Sequence, residues 1–354
     1  MHRRRVGEAR QAVAGLLAIL AMLLAGAAAH RTVTDSAGRT VAVPATVERV
    51  YAAGPPASIM VFALAPDKLL GWTRAMTADE AAFLPTQYTN LPALGRLTGR
   101  GNTANVEVVL AAKPDLIVDA GSTGPTFVSL ADRVQEQTGI PYLLYDGTFT
   151  GTAASLRGLG AATGNEARGK QLADYVERNV ADLRAKIAEI PRERRPRVYY
   201  ARSPSGLQTA LSGSINVEVL DVLGAINVAG NQSTTSGLAN VSMEQVLAWN
   251  PEVIVTTDPG FFAGVWKDAR WSGVSAVKSG RAYLSPQLPF GWFDFPPGPN
   301  RVVGLFWLAN ILYPDVFKDD LGKRVSEFYQ LFYHREPTAA QLNALLSTPY
   351  VPPR

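Results

Sequence analysis

From residue 32 the chain alternates apolar and polar positions through TVTDSAGRTVAVPAT, turning at Ala37-Gly38, which is the pattern of a β-hairpin. ERVYAAG (48–54) predicts a short strand that runs into a Gly-Pro-Pro loop. SIMVFALAPDKLLGW (58–72) predicts a short helix, a turn at Pro66-Asp67 and a strand over Leu69–Trp72. A long polar stretch, 73–104, carries Gly95, Gly99 and Gly101. NVEVVLAAKPDLIVDAG (105–121) then reads as a helix, a stop at Lys113-Pro114 and a buried strand, followed by a helix over 125–138 and a strand over Tyr142–Tyr145. Helices alternating with short apolar strands imply a parallel sheet covered on both faces.

The pattern changes between about Ala153 and Ile190 to one long helical run. Leu172, Val176, Val180, Leu183, Ile187 and Ile190 recur at spacings of three and four, so they form a single apolar stripe. Pro191 ends the run, and RERRPR after it reads as a solvated basic turn. The alternation then resumes. RVYYAR (197–202) predicts a strand, INVEVLDVLGA (215–225) a helix, SMEQVLAWNPEVIVTTD (242–258) a helix and a strand, and RAYLSP (281–286) a strand. Two helical segments, PNRVVGLFWLANILYP and LGKRVSEFYQLFY, follow.

An internal repeat organises these elements. Residues 105–118, NVEVVLAAKPDLIV, align without gaps on 242–255, SMEQVLAWNPEVIV, with seven of fourteen positions identical. The matches include a glutamate near each helix start, Glu107 and Glu244. The single offset of 137 residues indicates one duplication rather than a solenoid array. The economical architecture is α/β: two similar lobes joined by one long helix. We divide the chain as a leader (1–29), an N-terminal lobe (30–150), an interlobe helix region (151–191) and a C-terminal lobe (192–354).

The leader comes from the first thirty residues. Arg3, Arg4, Arg5 and Arg10 precede an apolar run from about Ala12 to Leu24, and Ala27-Ala28-Ala29 fits a small-residue cleavage site. This is the form of a secretory signal peptide, and the run is short of the roughly 20 residues a membrane span needs. It also holds most of the chain's net positive charge. The whole chain carries net +4, whereas residues 30–354 carry 30 basic and 29 acidic residues, so the basicity does not point to nucleic acid. With no cysteine there is no disulfide, no thiol nucleophile and no thiolate metal site. Nor is there a cysteine to carry a lipid anchor. After the leader only His30 and His334 remain, too few for a His-rich metal site. These features suggest a soluble periplasmic protein with no intrinsic cofactor or metal. Near-zero charge and apolar runs accounted for by core elements suggest a monomer.

Two facing lobes create a cleft, and ligands of parallel sheets bind outside the carboxyl ends of the strands. That rule selects Ala53–Ser58, Gly121–Thr123 (with Ser122), Tyr200, Arg202 and the segment Asp258–Phe262 with Phe261. PFGWFDFPPGPN (289–300) has no helical or strand period and reads either as a buried structural loop or as a cleft wall whose aromatics face a bulky ligand. GNEARGK (164–170) mimics part of a phosphate loop, but Gln171 replaces the required hydroxyl residue and no strand precedes it. The rival class is an exported α/β hydrolase. The chain has neither G-x-S-x-G nor H-E-x-x-H, and a catalytic histidine would have to be His334 or His30.

Taken in order, DSAGRTVAVPATVERVYAAG, NVEVVLAAKPDLIV, the long helix, LGAINVAGN, VSMEQVLAWNPEVIV and WSGVSAVKSGRAYLSP resemble the periplasmic substrate-binding proteins of iron-siderophore and vitamin B12-type ABC importers, over about residues 32–335. The resemblance implies two Rossmann-like lobes bridged by a rigid helix with modest closure on ligand. It implies that Glu107 and Glu244, one per lobe, dock onto basic residues of an inner-membrane ABC permease; each acid also suits the helix dipole. It implies a metal-complex ligand, an iron(III) chelate held by Arg, Tyr and Trp, for which Arg96, Arg100, Tyr200, Arg202, Trp292 and Phe293 are available. Arginine suits carboxylate or catecholate oxygens through its fixed donor fork. Haem, corrinoid and molybdate or tungstate are the alternatives; a small oxyanion would use hydroxyl donors such as Ser58, Ser122 and Thr123.

Overall fold

The computed structural model describes residues 30–99, 103–230 and 237–347. The leader 1–29 and Arg100 lie outside the described residues. The chain opens with an antiparallel hairpin, β1 (His30–Thr34) and β2 (Thr40–Pro44). A three-stranded parallel sheet follows, β3 (Val50–Ala52), β4 (Leu116–Gly121) and β5 (Tyr142–Asp146), in the order β3-β4-β5. Next comes β6 (Arg197–Ala201). A small antiparallel pair is made by β7 (Gln208–Ala210) and β9 (Leu238–Asn240), with β8 (Ile226–Asn227) between them in sequence. With β10 (Val253–Thr256) and β11 (Ala282–Leu284) the second parallel sheet is complete, in the order β11-β10-β6-β8.

Both parallel sheets are apolar on both faces, as continuous Val/Ile/Leu/Tyr runs require. Side chains alternate between faces. In β4 and β5, Leu116, Val118, Leu143 and Tyr145 enter the largest core cluster, while Ile117, Tyr142 and Leu144 enter a second cluster on the other face. In β6 and β10, Val198, Tyr200, Val253 and Val255 join that same largest cluster, and Tyr199, Ala201 and Ile254 face a third. The two sheets therefore share one core, filled between them by the helices Phe149–Thr163, Glu166–Ala188, Arg301–Leu312 and Leu321–Tyr333.

The duplicated segments fold alike. Helix Val106–Ala112 is capped by Asn105, whose side chain accepts from the Val108 amide, and ends at Lys113 in the left-handed region (φ 48°). Helix Met243–Trp249 is capped by Ser242, with a reciprocal bond from the Ser242 amide to Gln245, and ends at Asn250 (φ 44°). A proline follows each stop, and each helix leads into the middle of its sheet: β4 pairs with β3 and β5, β10 with β6 and β11.

Two expected elements differ. The helical run from about 153 to 190 is broken once, at Gly164, whose φ of 71° closes the helix Phe149–Thr163; the long helix proper is the 23-residue Glu166–Ala188. These two helices pack closely because Gly169 has no side chain: a Cβ there would stand 2.7 Å from the Leu156 carbonyl oxygen. Leu69–Trp72 does not form a strand. It makes only isolated bridges, Val50 with Leu69 and Trp72 with Ala93. The last helices cross back over helix Pro55–Leu64, where His334 Nε2 lies 2.9 Å from the Phe62 carbonyl oxygen and the two rings meet edge to face at 5.3 Å.

Candidate functional site

A cavity of about 640 Å³ lies between the two parallel sheets. It opens where the strand-end rule places a ligand: beyond β3, where Pro55, Pro56, Ser58 and Ile59 begin a helix, beyond β4 at Gly121 and Ser122, and beyond β6 at Arg202. The polar stretch after residue 72 supplies Trp72, Arg74, Met76, Glu80, Arg96 and Thr98. The opposite wall is Ile215, Asn216 and Leu238, together with Phe290, Asp294, Phe295, Pro296 and Pro297 from the aperiodic segment. Much of this lining is aromatic, aliphatic or proline, with charge confined to three arginines and three acids.

Of the predicted site residues, Ser58, Arg96, Ser122 and Arg202 are brought together on this wall. Ser58 is buried, and its hydroxyl donates to the Pro55 carbonyl at 2.8 Å. The Ser122 hydroxyl accepts from the Gly124 amide at 3.2 Å. Thr123 is half-buried but does not line the cavity. The predicted aromatic contacts turn away from it. Tyr200 is fully buried and donates to Asp294 at 2.8 Å, with Phe293 packed against its ring at 4.5 Å. Trp292 is buried, its indole N–H donating to the Tyr329 hydroxyl at 3.1 Å. Phe261 packs edge-on against Trp271 at 4.9 Å in the core of the second sheet. Tyr200, Trp292 and Phe293 belong to the core shared by the two sheets, and Phe261 to the cluster on the other face of the second sheet. The aromatics that do face the cavity are Trp72, Phe127, Phe290 and Phe295.

The sequence reading also missed the acids. Asp294, 1% exposed, accepts from Arg202, from the Asn216 amide group and from Tyr200. Burial pushes its carboxyl above the ordinary range, and the Arg202 charge and these hydrogen bonds pull it back. Arg202 therefore reaches the cavity with its charge offset, its guanidinium lying 4.5 Å from the centre of the Phe295 ring. At the rim Arg74 and Glu80 form a two-fold hydrogen-bonded pair, one bond measuring 2.8 Å. Asp119, at the end of β4, is 4% exposed and accepts from the Thr98 hydroxyl (3.0 Å), the Ala120 amide (2.9 Å) and the Tyr142 hydroxyl (3.3 Å). Burial raises its pKa to about 6 against the pull of those three donors. It has no salt bridge among the described residues. The sequence signal that would have found it is an acid inside an otherwise apolar strand, LIVDAG.

Behind the cavity, Arg301 is fully buried. It donates to the Gly147 carbonyl at 2.7 Å, to the Ile215 carbonyl at 2.6 Å and to the Glu218 carboxylate at 3.0 Å. Glu218 in turn accepts from the Phe149 amide at 3.2 Å. Glu107 and Glu244 both lie exposed on their helices, away from the cavity lining. Among the described residues no group of three or more His, Cys, Asp or Glu is arranged to hold a metal ion, and no helix is long and apolar enough to cross a membrane.

This arrangement, two α/β sheets facing a cavity with a long helix beside them, recurs in known proteins. A solved ABC transporter solute-binding protein from Sulfurospirillum deleyianum superposes with a TM-score of 0.81 at 31% identity, covering 89% of this chain and 98% of that one. The molybdate-binding protein MolA of Haemophilus influenzae is 27% identical over 340 residues, 89% of this chain and 94% of its own. The vitamin B12-binding protein of Vibrio cholerae is 26% identical over 259 residues, 72% of this chain and 86% of its own. The periplasmic binding protein profile matches residues 65–288. The chain thus belongs to the periplasmic binding protein family, whose members are not enzymes but solute carriers that deliver ligands to ABC permeases.

Proposed function

We propose that this protein captures an iron(III) chelate of siderophore type in the cavity between its sheets and delivers it to an ABC permease. The observation that carries this reading is the cavity itself. Its volume of about 640 Å³ falls in the roughly 300–1,000 Å³ range of sites that enclose a drug-sized organic ligand, and its walls of Trp72, Phe127, Phe290, Phe295 and prolines suit the organic body of a chelate. Arg96 and Arg202 supply donors for its anionic oxygens. Ser58 has its proton committed to the Pro55 carbonyl and is wall rather than ligand donor, whereas Ser122 only accepts, from the Gly124 amide, and keeps its O–H for a ligand oxygen.

The route follows from the same reading. The leader 1–29 is cleaved on export, leaving a monomer in the periplasm with no lipid anchor. Glu107 and Glu244 meet the permease, one from each lobe. A second reading, molybdate, is favoured by the full-length similarity to a molybdate-binding protein. Native mass spectrometry of the protein purified from its own periplasm separates them. A bound iron-containing mass of several hundred daltons without the absorption of a porphyrin supports the chelate, and haem, a molybdate adduct or a corrinoid mass rejects it.

A further inference from the structure

Leu110 and Leu247 are two of the four large apolar side chains left exposed among the described residues, at 45% and 42%. They occupy the same position in the duplicated helix, 137 residues apart. Each stands three residues after an exposed glutamate, Glu107 or Glu244, and is followed by an exposed alanine, Ala111 or Ala248. Residues three and four apart share a helix face, so each lobe presents the same acid–leucine–alanine patch. The fully buried side chains of these helices are Val109 and Val246, which point to the core on the other side. Each helix is joined to the strand after it by a three-residue turn, Lys113–Asp115 and Asn250–Glu252, and so runs back against it. The helix starts, with their acids, therefore lie toward the strand ends that form the cavity, one patch on each lobe.

We infer that Leu110 and Leu247 are paired apolar anchors for the permease, each seated beside its glutamate in an apolar socket next to a basic residue. The duplication identifies the occupant. Two equal patches on one chain fit a partner that offers the same socket twice, as two copies of one membrane subunit do. A second copy of this chain would set the glutamates against each other, and an anionic bilayer surface would repel them. The inference rests on the reading that Glu107 and Glu244 face the permease, and the test separates the two.

The measurement is binding of the purified protein to its permease–ATPase complex in lipid nanodiscs, by interferometry, for Leu110→Gln, Leu247→Gln, the double leucine variant and the double variant Glu107→Gln/Glu244→Gln. Each leucine change is expected to weaken the complex about tenfold and the pair about a hundredfold. Each leucine is more than half covered in the free protein, so binding is measured well below the melting temperature of every variant, where all are folded. If the glutamate variant weakens and the double leucine variant does not, the anchors are wrong and the docking acids stand. If neither weakens, the docking face lies elsewhere and both ideas fall. If sedimentation shows that the wild type self-associates and the leucine variants do not, the patches cover a second copy and the inference is overturned.

Discussion

Arg301 holds Glu218 at 3.0 Å with the same guanidinium that reaches the Gly147 carbonyl at 2.7 Å, so one buried side chain ties the loop after the first parallel sheet to the start of a helix in the second. Its Cζ also lies 4.5 Å from the centre of the Phe149 ring, and Glu218 closes the circuit by accepting from the Phe149 amide. This strut stands behind the cavity and fixes how the two walls face each other.

Removing one member of a buried ion pair typically costs about 3–5 kcal/mol, because the other charge stays buried without its partner. Glu218→Ala is therefore expected to lower unfolding free energy in urea by about that amount. Glu218→Gln, which keeps an acceptor oxygen, should lose less. A loss under ~1 kcal/mol for the alanine variant would show that the backbone carbonyls alone satisfy Arg301.

Two of the three cavity arginines, Arg96 and Arg202, carry the expectation for ligand binding. Arg96→Ala is expected to weaken binding of a ferric chelate by about ten- to a hundredfold, the worth of a hydrogen bond to a charged group. Arg202→Ala should also weaken binding, but it leaves Asp294, 1% exposed, without its cation, so stability should fall by about 3–5 kcal/mol. Adding Asp294→Asn to Arg202→Ala should recover part of the stability without the affinity. Calorimetric titration beside urea unfolding reads both, and unchanged titrations in both variants would remove these arginines from the site.

Asp119 gives the protein a pH signature. Its folded-state pKa is about 6, raised by burial from an ordinary 3.8. A carboxyl raised on folding contributes its stability while protonated in both states. That contribution declines as pH climbs from about 4, where the unfolded chain ionises, to about 6, where the folded one does, and stays lost above. The total is about 3 kcal/mol. Asp119→Asn does not titrate, so its stability relative to wild type should rise by about this much between pH 4 and pH 7.5 in urea melts. A pH-independent difference would mean that Asp119 titrates normally.

Much of the fold was legible because its punctuation is local. Pro125 and Gly139 bound a helix that runs Pro125–Thr138 as expected, and the repeat folds alike because Asn105/Ser242 and Lys113/Asn250 supply the same cap and stop. The break at Gly164 was visible as a residue but was overridden by the apolar stripe that begins at Leu172, after it. In the site, strand ends were legible, which is why Ser58, Ser122 and Arg202 fell on the wall. What was not legible is pairing across long separations. Asp294 neutralises Arg202 from 92 residues away. Without a period, nothing in 289–300 tells that Trp292 and Phe293 turn inward while Phe290 and Phe295 face the cavity.

Glu107 and Glu244 carry the sharpest expectation. They sit at matched positions of the duplicated helix, both exposed and neither lining the cavity. Changing either to Ala should leave ligand affinity intact, since no cavity atom moves, and should leave the fold intact, since Asn105 and Ser242 still cap the helices. Uptake in cells lacking the native protein should fall by about tenfold, because truncating one side of a charged interface leaves its partner unmatched. Changing both to Lys replaces attraction with like-charge repulsion and should abolish uptake while binding persists. Ligand titration run beside uptake decides the matter. Normal uptake by the double Lys variant would rule out docking through these acids, and a collapse of ligand binding would place them in the site or the fold instead.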